Sequence, residues 1–285
     1  MLPDIVPTEE TLVDSEGTDG GRVMDAKEEE EEESPTAAQE ETPLGDDSPL
    51  GIWTPEDAKS TGVTILIYGT SGSGKTWLAS TFPDPLFVDL EGGMRSVAHR
   101  KPLRLPKDPK LVIETVDDLR KAGAAIARML RKGNAPFKTV VIDSLSEMQE
   151  IVMADVLLQY NANRLYGDQP TQADYGKANR DFIKLFLAFL RLPCNVVFTN
   201  VVAPKAYEED QSAPTFVGKV IGPYVSRRVD AIGYTYTVVP SKDKEDELRY
   251  LVSFANTPAH VGKDRLGIGN KPRPNNFNAV FRQGA

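Results

Sequence analysis

Eight consecutive residues, Gly69-Thr70-Ser71-Gly72-Ser73-Gly74-Lys75-Thr76, carry the most explicit chemistry in this chain of 285 residues. They satisfy the spacing G-x-x-x-x-G-K-[ST], a pattern whose meaning depends on a strand before it and a helix after it. Three glycines let the main chain curl with its N–H groups pointing inward, forming an anion nest capped by the positive end of a helix. Phosphate groups match such a nest. The α- and β-phosphates would sit on the amides, the Lys75 ammonium would reach the β- and γ-phosphates, and the Thr76 hydroxyl would ligate Mg²⁺.

A magnesium-bound triphosphate also needs a carboxylate at the end of a neighbouring strand. Phe137-Lys138-Thr139-Val140-Val141-Ile142-Asp143-Ser144 supplies an apolar strand ending in Asp143. Asp143 is the expected metal-side carboxylate, and it also suits the start of a helix near Leu145. Hydrolysis requires a base to orient water. Glu91 follows the strand Pro85-Leu86-Phe87-Val88-Asp89, where a side chain faces the crevice of an open α/β sheet, with Asp89 competing for the role. Thr199-Asn200, at the polar end of Asn195–Val201, either senses the γ-phosphate or satisfies strand-end backbone groups.

The elements needed to position these groups are legible. Val63–Tyr68 is a β-branched apolar run immediately before the glycine-rich turn, and Trp77-Leu78-Ala79 begins a helical pattern after it. A long amphipathic stretch from Asp174 to Arg191 places Phe182, Leu185, Phe186 and Phe189 on one face. Asp230–Val239 and Leu248–Phe254 flank the charged turn Ser241–Glu247 and predict a β-hairpin. AAA+ proteins end instead in a helical lid, so a β-rich C-terminal half favours a RecA-type core.

Composition sets the boundaries. Residues 1–50 hold 17 acidic and 2 basic residues, a balance of −15, which leaves +6 for the remainder of a chain whose net charge is −9. With the Glu28–Glu33 run and no aromatic residue, this stretch cannot offset chain entropy by burial and is expected to be a disordered acidic tail. It serves as a solubilising segment or as a polyanion competing with DNA for the basic body. Residues 51–270 are expected to form the nucleotide-binding domain and 271–285 a C-terminal extension. No run of about 18 apolar residues occurs, and Met1-Leu2-Pro3-Asp4 does not begin a secretion signal, so a soluble cytoplasmic protein with no membrane partner is expected. Cys194 is the only cysteine and lies beside an apolar run, which predicts a buried, reduced thiol.

Other chemistries find less support. The only Asn-Lys pair, Asn270-Lys271-Pro272-Arg273, lacks the aspartate of the guanine-specific N-K-x-D element, which points to ATP. One cysteine and two histidines, His99 and His260, assemble neither a zinc constellation nor a Ser-His-Asp arrangement. Residues 202–229 have little of the helical, arginine-bearing character of a small-molecule kinase lid.

The order GTSGSGKT, FVDLEGG, VVIDSLSE, DYGKANRDFIKLFLAFLRLPCNVVFTN and PTFVGK…VDAIGY resembles phage ATP-binding proteins of the RecA/RadA-like class, over about residues 52–270. That resemblance implies an α/β fold with a RecA-like P-loop NTPase core, a mostly parallel sheet flanked by helices and a C-terminal β-hairpin. It implies an ATPase acting in single-strand annealing or recombination, self-association into a ring or filament, and phage or host replication and recombination proteins as partners. Glu91 then matches the catalytic glutamate, and Asn200-Val201 the fourth-strand sensor, where Val201 departs from the hydrogen-bonding residue expected. Arg164 and Tyr166, and Lys205, Tyr207 and Lys219, fall where such proteins carry DNA-binding loops, with Glu208-Glu209-Asp210 interrupting the second. Lys263 and Arg265 resemble a K-x-R element that acts in trans on a neighbour's ATP in ring helicases, or else form a solvated turn. A protein-directed assembly or packaging accessory, and a binder with little turnover, are the alternatives.

Overall fold

The structure is a computed structural model that describes residues 62–108, 110–160, 169–202, 211–239 and 248–281. Its centre is a sheet of nine strands among the described residues, β1 Thr64–Gly69, β2 Pro85–Asp89, β3 Leu103–Leu105, β4 Thr139–Asp143, β5 Asn195–Val201, β6 Ala231–Val238, β7 Arg249–Ser253, β8 Lys263–Asp264 and β9 Arg273–Pro274. The order is β3-β2-β4-β5-β1-β6-β7-β9, with β8 pairing β6. From β3 to β6 every pairing is parallel, and β7, β8 and β9 add antiparallel strands.

Parallel strands need crossovers, and the helices supply them on both faces. Alternation along β1 shows the consequence. Leu66 and Tyr68 join Val88, Ile142 and Phe198 in one core, against α2 (Val116–Arg131), α3 (Leu145–Tyr160) and α4 (Gln172–Leu190). Ile65 and Ile67 join Phe87, Val141 and Val197 in the other, against α1 (Lys75–Ser80), a 3-10 helix at Gly93–Arg100 and α6 (Phe277–Phe281). Two buried faces explain why these strands read as continuous apolar runs. The predicted phenylalanine face of α4 is buried as expected, with Phe182, Phe186 and Phe189 all under 2% exposed.

Local chemistry fixes the helix starts. Thr171 and Asp174 form a reciprocal capping box at α4, and the Thr115 hydroxyl accepts from the Asp118 amide at α2. Helix α5 (Ile221–Arg228) ends under the Lys263 ammonium, which donates to the carbonyls of Ser226 at 2.8 Å and Arg227 at 3.2 Å, and to that of Val229.

The predicted hairpin strands are β6 and β7, paired antiparallel from Tyr234 opposite Ser253 to Val238 opposite Arg249. The connecting turn, Ser241–Glu247, lies outside the described residues, as does the acidic segment 1–50. β6 does more than start a hairpin. It also pairs parallel with β1, so it closes the parallel sheet on that side. β3 has no counterpart in the sequence reading, because Leu103-Arg104-Leu105 is too short to show a period. Residues 273–281, expected in an extension, are integral to the fold: β9 pairs β7, and Phe277 and Phe281 pack on Phe82 with ring centroids 4.9 and 5.5 Å away.

Cys194 is buried, and burial pushes its thiol pKa up to about 11. His260 ties the antiparallel end together, with Nε2 2.9 Å from the Ser253 hydroxyl, Nδ1 3.1 Å from that of Thr257, and its ring stacked on Tyr234 at 5.0 Å. Burial lowers the His260 pKa from its ordinary 6.5. An unfolded chain therefore takes up a proton that the folded one resists, and this contribution to stability declines as pH falls through the unfolded value. Between about pH 7.5 and about pH 5.5 the thermal midpoint of the wild type should fall relative to that of His260→Gln. An unchanged slope in the variant would remove His260 from the pH response.

Candidate functional site

Parallel pairing brings the carboxyl ends of β1, β2, β4 and β5 to one edge of the sheet, where open α/β folds form a crevice. The register sets Asp89 beside Asp143 and Gly69 beside Val201, so the predicted groups arrive together. A cavity of about 610 Å³ opens there, lined by Ser71, Gly72, Gly74, Lys75, Thr76 and Glu91 together with Trp77, Gly93, Ser96 and Tyr250. That volume suits a nucleotide-sized ligand.

The loop between β1 and α1 has the geometry its glycines permit. Gly72 and Gly74 lie at φ 78° and 89°, in the left-handed region where a side chain is strained. Gly69 is required for another reason. A Cβ there would sit 2.4 Å from the Thr235 carbonyl oxygen and 2.5 Å from the Ser73 hydroxyl, so β1 and β6 could not hold the loop this closely. Thr235 also meets the Ser73 hydroxyl at 2.7 Å and donates to the Tyr68 carbonyl at 3.1 Å. From 201 residues further along the chain, Asn275 donates its side-chain amide to the Gly74 carbonyl at 2.8 Å.

Lys75 is 9% exposed, and its ammonium donates to the carbonyls of Gly69 at 3.1 Å and Thr70 at 3.0 Å. Burial lowers its pKa, while the charges of Glu91 and Asp143 act in the opposite direction. A cation poised across its own loop in a partly desolvated setting is the partner that a polyphosphate lacks in water.

Asp143 is 1% exposed and accepts from the Thr76 hydroxyl at 2.9 Å and from the Thr199 hydroxyl. Burial pushes its pKa up to about 6; the Thr199 and Thr76 hydrogen bonds oppose the shift, and the charges of Glu91 and Asp89 add to it. Among the described residues no three His, Cys, Asp or Glu side chains converge as a metal cage. One hydroxyl and one carboxylate side by side, next to a cradle for phosphates, nonetheless fit Mg²⁺, which takes few protein ligands and completes its shell with phosphate oxygens and water.

Glu91 borders the same cavity and accepts a hydrogen bond from the Ser144 hydroxyl, itself 2.7 Å from that of Ser146. Asp89 does not share the role. It is fully buried, its Oδ2 ion-paired with the Arg104 guanidinium at 2.8 Å and its Oδ1 bonded to the Gly92 amide at 2.8 Å, so it holds the turn that presents Glu91. The helix-start function suggested for Asp143 falls to Ser144, whose hydroxyl accepts from the Glu147 amide at 3.3 Å.

The strand-end pair divides its duties. Thr199 reaches the site through Asp143, whereas Asn200 donates to the Thr215 carbonyl at 2.9 Å and anchors the chain beyond β5. Lys263 is engaged as the cap of α5 within its own subunit, so the trans candidates narrow to Arg265, which is exposed. Arg164, Tyr166, Lys205 and Tyr207 lie outside the described residues, and Lys219 is exposed.

Sequence reasoning missed Ser144, Thr235 and Asn275, whose positions depend on pairings across up to 201 residues. It also missed two aromatic walls of the cavity, Trp77 and Tyr250, which are 38% and 42% exposed. Large exposed rings beside a phosphate cradle were the available signal for Trp77.

A family model described as an AAA domain matches residues 61–266. No curated protein matches the chain. Among solved structures, a KaiC-like protein from the hyperthermophilic archaeon Pyrococcus horikoshii OT3 is similar at 17% identity, covering 75% of this chain and 85% of that one with a TM-score of 0.42.

Lys75→Ala should weaken ATP binding about 100-fold, the scale of losing charge-assisted contacts to phosphate, with the circular-dichroism spectrum unchanged. Equal affinity in the variant would refute the phosphate-loop assignment.

Proposed function

We propose that this chain, which belongs to the AAA domain family, is a magnesium-dependent ATPase that acts on single-stranded DNA in phage recombination or replication. The observation that carries the ATPase reading is the convergence of Lys75, Thr76 and Glu91 around one cavity at the carboxyl ends of parallel strands, with Asp143 hydrogen-bonded to Thr76 behind it.

Each side chain has a defined task. The main chain of Gly69–Thr76 orients the triphosphate, and the Lys75 ammonium transfers from the Gly69 and Thr70 carbonyls to phosphate oxygens. Thr76 and Asp143 would hold Mg²⁺, which supplies charge neutralisation to the transferring phosphoryl group. Glu91, positioned by Ser144, orients the attacking water and takes its proton. Arg265 is exposed and so available to a neighbouring subunit's nucleotide, within the ring or filament that the sequence resemblance implies.

The DNA reading draws on the sequence resemblance and on a body of net charge +6 outside residues 1–50. A protein-directed assembly or packaging accessory, which would use ATP without touching DNA, is the competing reading. Phosphate release by the purified full chain separates them: a single-stranded oligonucleotide should accelerate it, and no response at low salt would favour the accessory.

Glu91→Gln should lower phosphate release by about 10²- to 10⁴-fold while leaving ATP affinity intact. A variant that turns over normally would remove Glu91 from the chemistry. Arg265→Ala should lower turnover by about 10³-fold, and mixing it with Lys75→Ala subunits should restore activity at interfaces that pair an intact loop with an intact arginine. Absence of complementation would confine Arg265 to its own subunit.

A further inference from the structure

The basic charge of the body is concentrated in one place. Between Gly93 and Leu111 the chain carries six cations, Arg95, Arg100, Lys101, Arg104, Lys107 and Lys110, against the single acid Asp108, a balance of +5 where everything beyond residue 50 sums to +6. This segment contains the 3-10 helix and β3, the terminal strand of the sheet beside β2.

The cations have different occupations. Arg104 is spent internally, on Asp89 at 2.8 Å and on the carbonyls of Pro106 at 2.8 Å, Asp108 at 2.6 Å and Leu111 at 2.5 Å. Arg100 donates to the Ser80 carbonyl at 3.2 Å and lies 5.3 Å from the Trp77 ring. Arg95, Lys101, Lys107 and Lys110 are exposed, and among the described residues no hydrogen bond or ion pair engages their side-chain charges. Three of them, Arg95, Lys101 and Lys110, line a cavity of about 440 Å³ together with Met94, Pro102 and the Asp89–Arg104 pair.

We propose that this edge binds the phosphate backbone of a single-stranded nucleic acid, with Arg95, Lys101 and Lys110 as its principal contacts and Lys107 extending the track. Exposed, unpaired cations running in sequence from the 3-10 helix to beyond β3 suit a ligand with repeating charges. A single small anion would call instead for buried donors, and Arg104, the partly buried cation lining the cavity, is already committed to Asp89 and three carbonyls. A flexible single strand can follow such a line without presenting base edges. The site is distinct from the loops around Arg164, Lys205 and Lys219 suggested by the sequence. It rests on the DNA-directed reading above for its partner and supplies that reading with a surface.

The placement has a mechanistic consequence. The 3-10 helix forms a wall of both cavities, offering Ser96 and Gly93 to the nucleotide side and Met94, Arg95 and Ala98 to the basic side. His99 on this helix stacks on Trp77 of α1 at 5.3 Å. A strand held on one side and a nucleotide on the other thus press on a single short element, and by linkage each should alter the other's affinity equally.

The test uses the full chain and fluorescence anisotropy of a labelled oligothymidylate at several salt concentrations, with and without a non-hydrolysable ATP analogue. The triple variant Arg95→Glu/Lys101→Glu/Lys110→Glu should bind at least about tenfold more weakly and reduce the salt slope by about 2, as expected for three lost phosphate contacts. Its affinity for the ATP analogue in the absence of DNA should match the wild type, which shows that the fold and nucleotide site survive. Arg120→Glu/Arg131→Glu/Lys132→Glu, exposed on and just after α2 and with the same change in net charge, should retain most of the affinity. Equal losses in the two variants would reduce the effect to net charge and overturn the proposal. Wild-type binding by the first variant would sink the surface while leaving the DNA reading standing; no oligonucleotide binding by the wild type would sink both, with ATP-analogue binding reporting separately on the ATPase reading.

Discussion

A carboxylate almost wholly removed from water, Asp143, stands where β1, β4 and β5 end, and two hydroxyls hold it there. Taking such a charge out of solvent is costly unless hydrogen bonds and a nearby cation compensate. Thr76 donates from the start of α1, Thr199 donates from β5, and Lys75 lies close enough for the two charges to interact. The three elements that form the nucleotide crevice are therefore connected through one side chain. Any ligand that adds positive charge beside Asp143 relieves a penalty the fold has already incurred, which is the sense in which the site is prepared for a divalent cation.

Much of this was legible because the relevant signals were local. The loop from Gly69 to Thr76 declares itself by spacing, and the apolar runs ending in Asp89, Asp143 and Asn200 declare buried parallel strands. What escaped was set by partners distant in sequence. Asp89 competes with Glu91 in the sequence, but Arg104, on a three-residue strand with no visible period, neutralises it. Lys263 looked like a group aimed at a neighbour until the end of α5 was seen to place unsatisfied carbonyls beneath it. In both cases a charge that the sequence leaves open is taken up by partners distant in the chain and does not border the nucleotide cavity.

The C-terminal half shows how a family label and an architecture can be read together. The matched family is described as an AAA domain, yet among the described residues the chain after β6 continues as antiparallel strands and the short helix α6, with none of the helical lid expected of AAA+ proteins. These strands bring Tyr250 to the nucleotide cavity and Asn275 to the loop itself. The boundary placed at residue 270, where the family resemblance ends, thus separates groups that the fold uses together.

The Asn275 amide on the Gly74 carbonyl joins positions 201 residues apart. During synthesis on a ribosome, the glycine loop emerges long before the residue that fastens it. A partly made chain can assemble the first strands and still lack its clasp. Full grip on nucleotide then arrives only once Asn275 has been translated, so a product truncated before it would be a poor competitor for ATP.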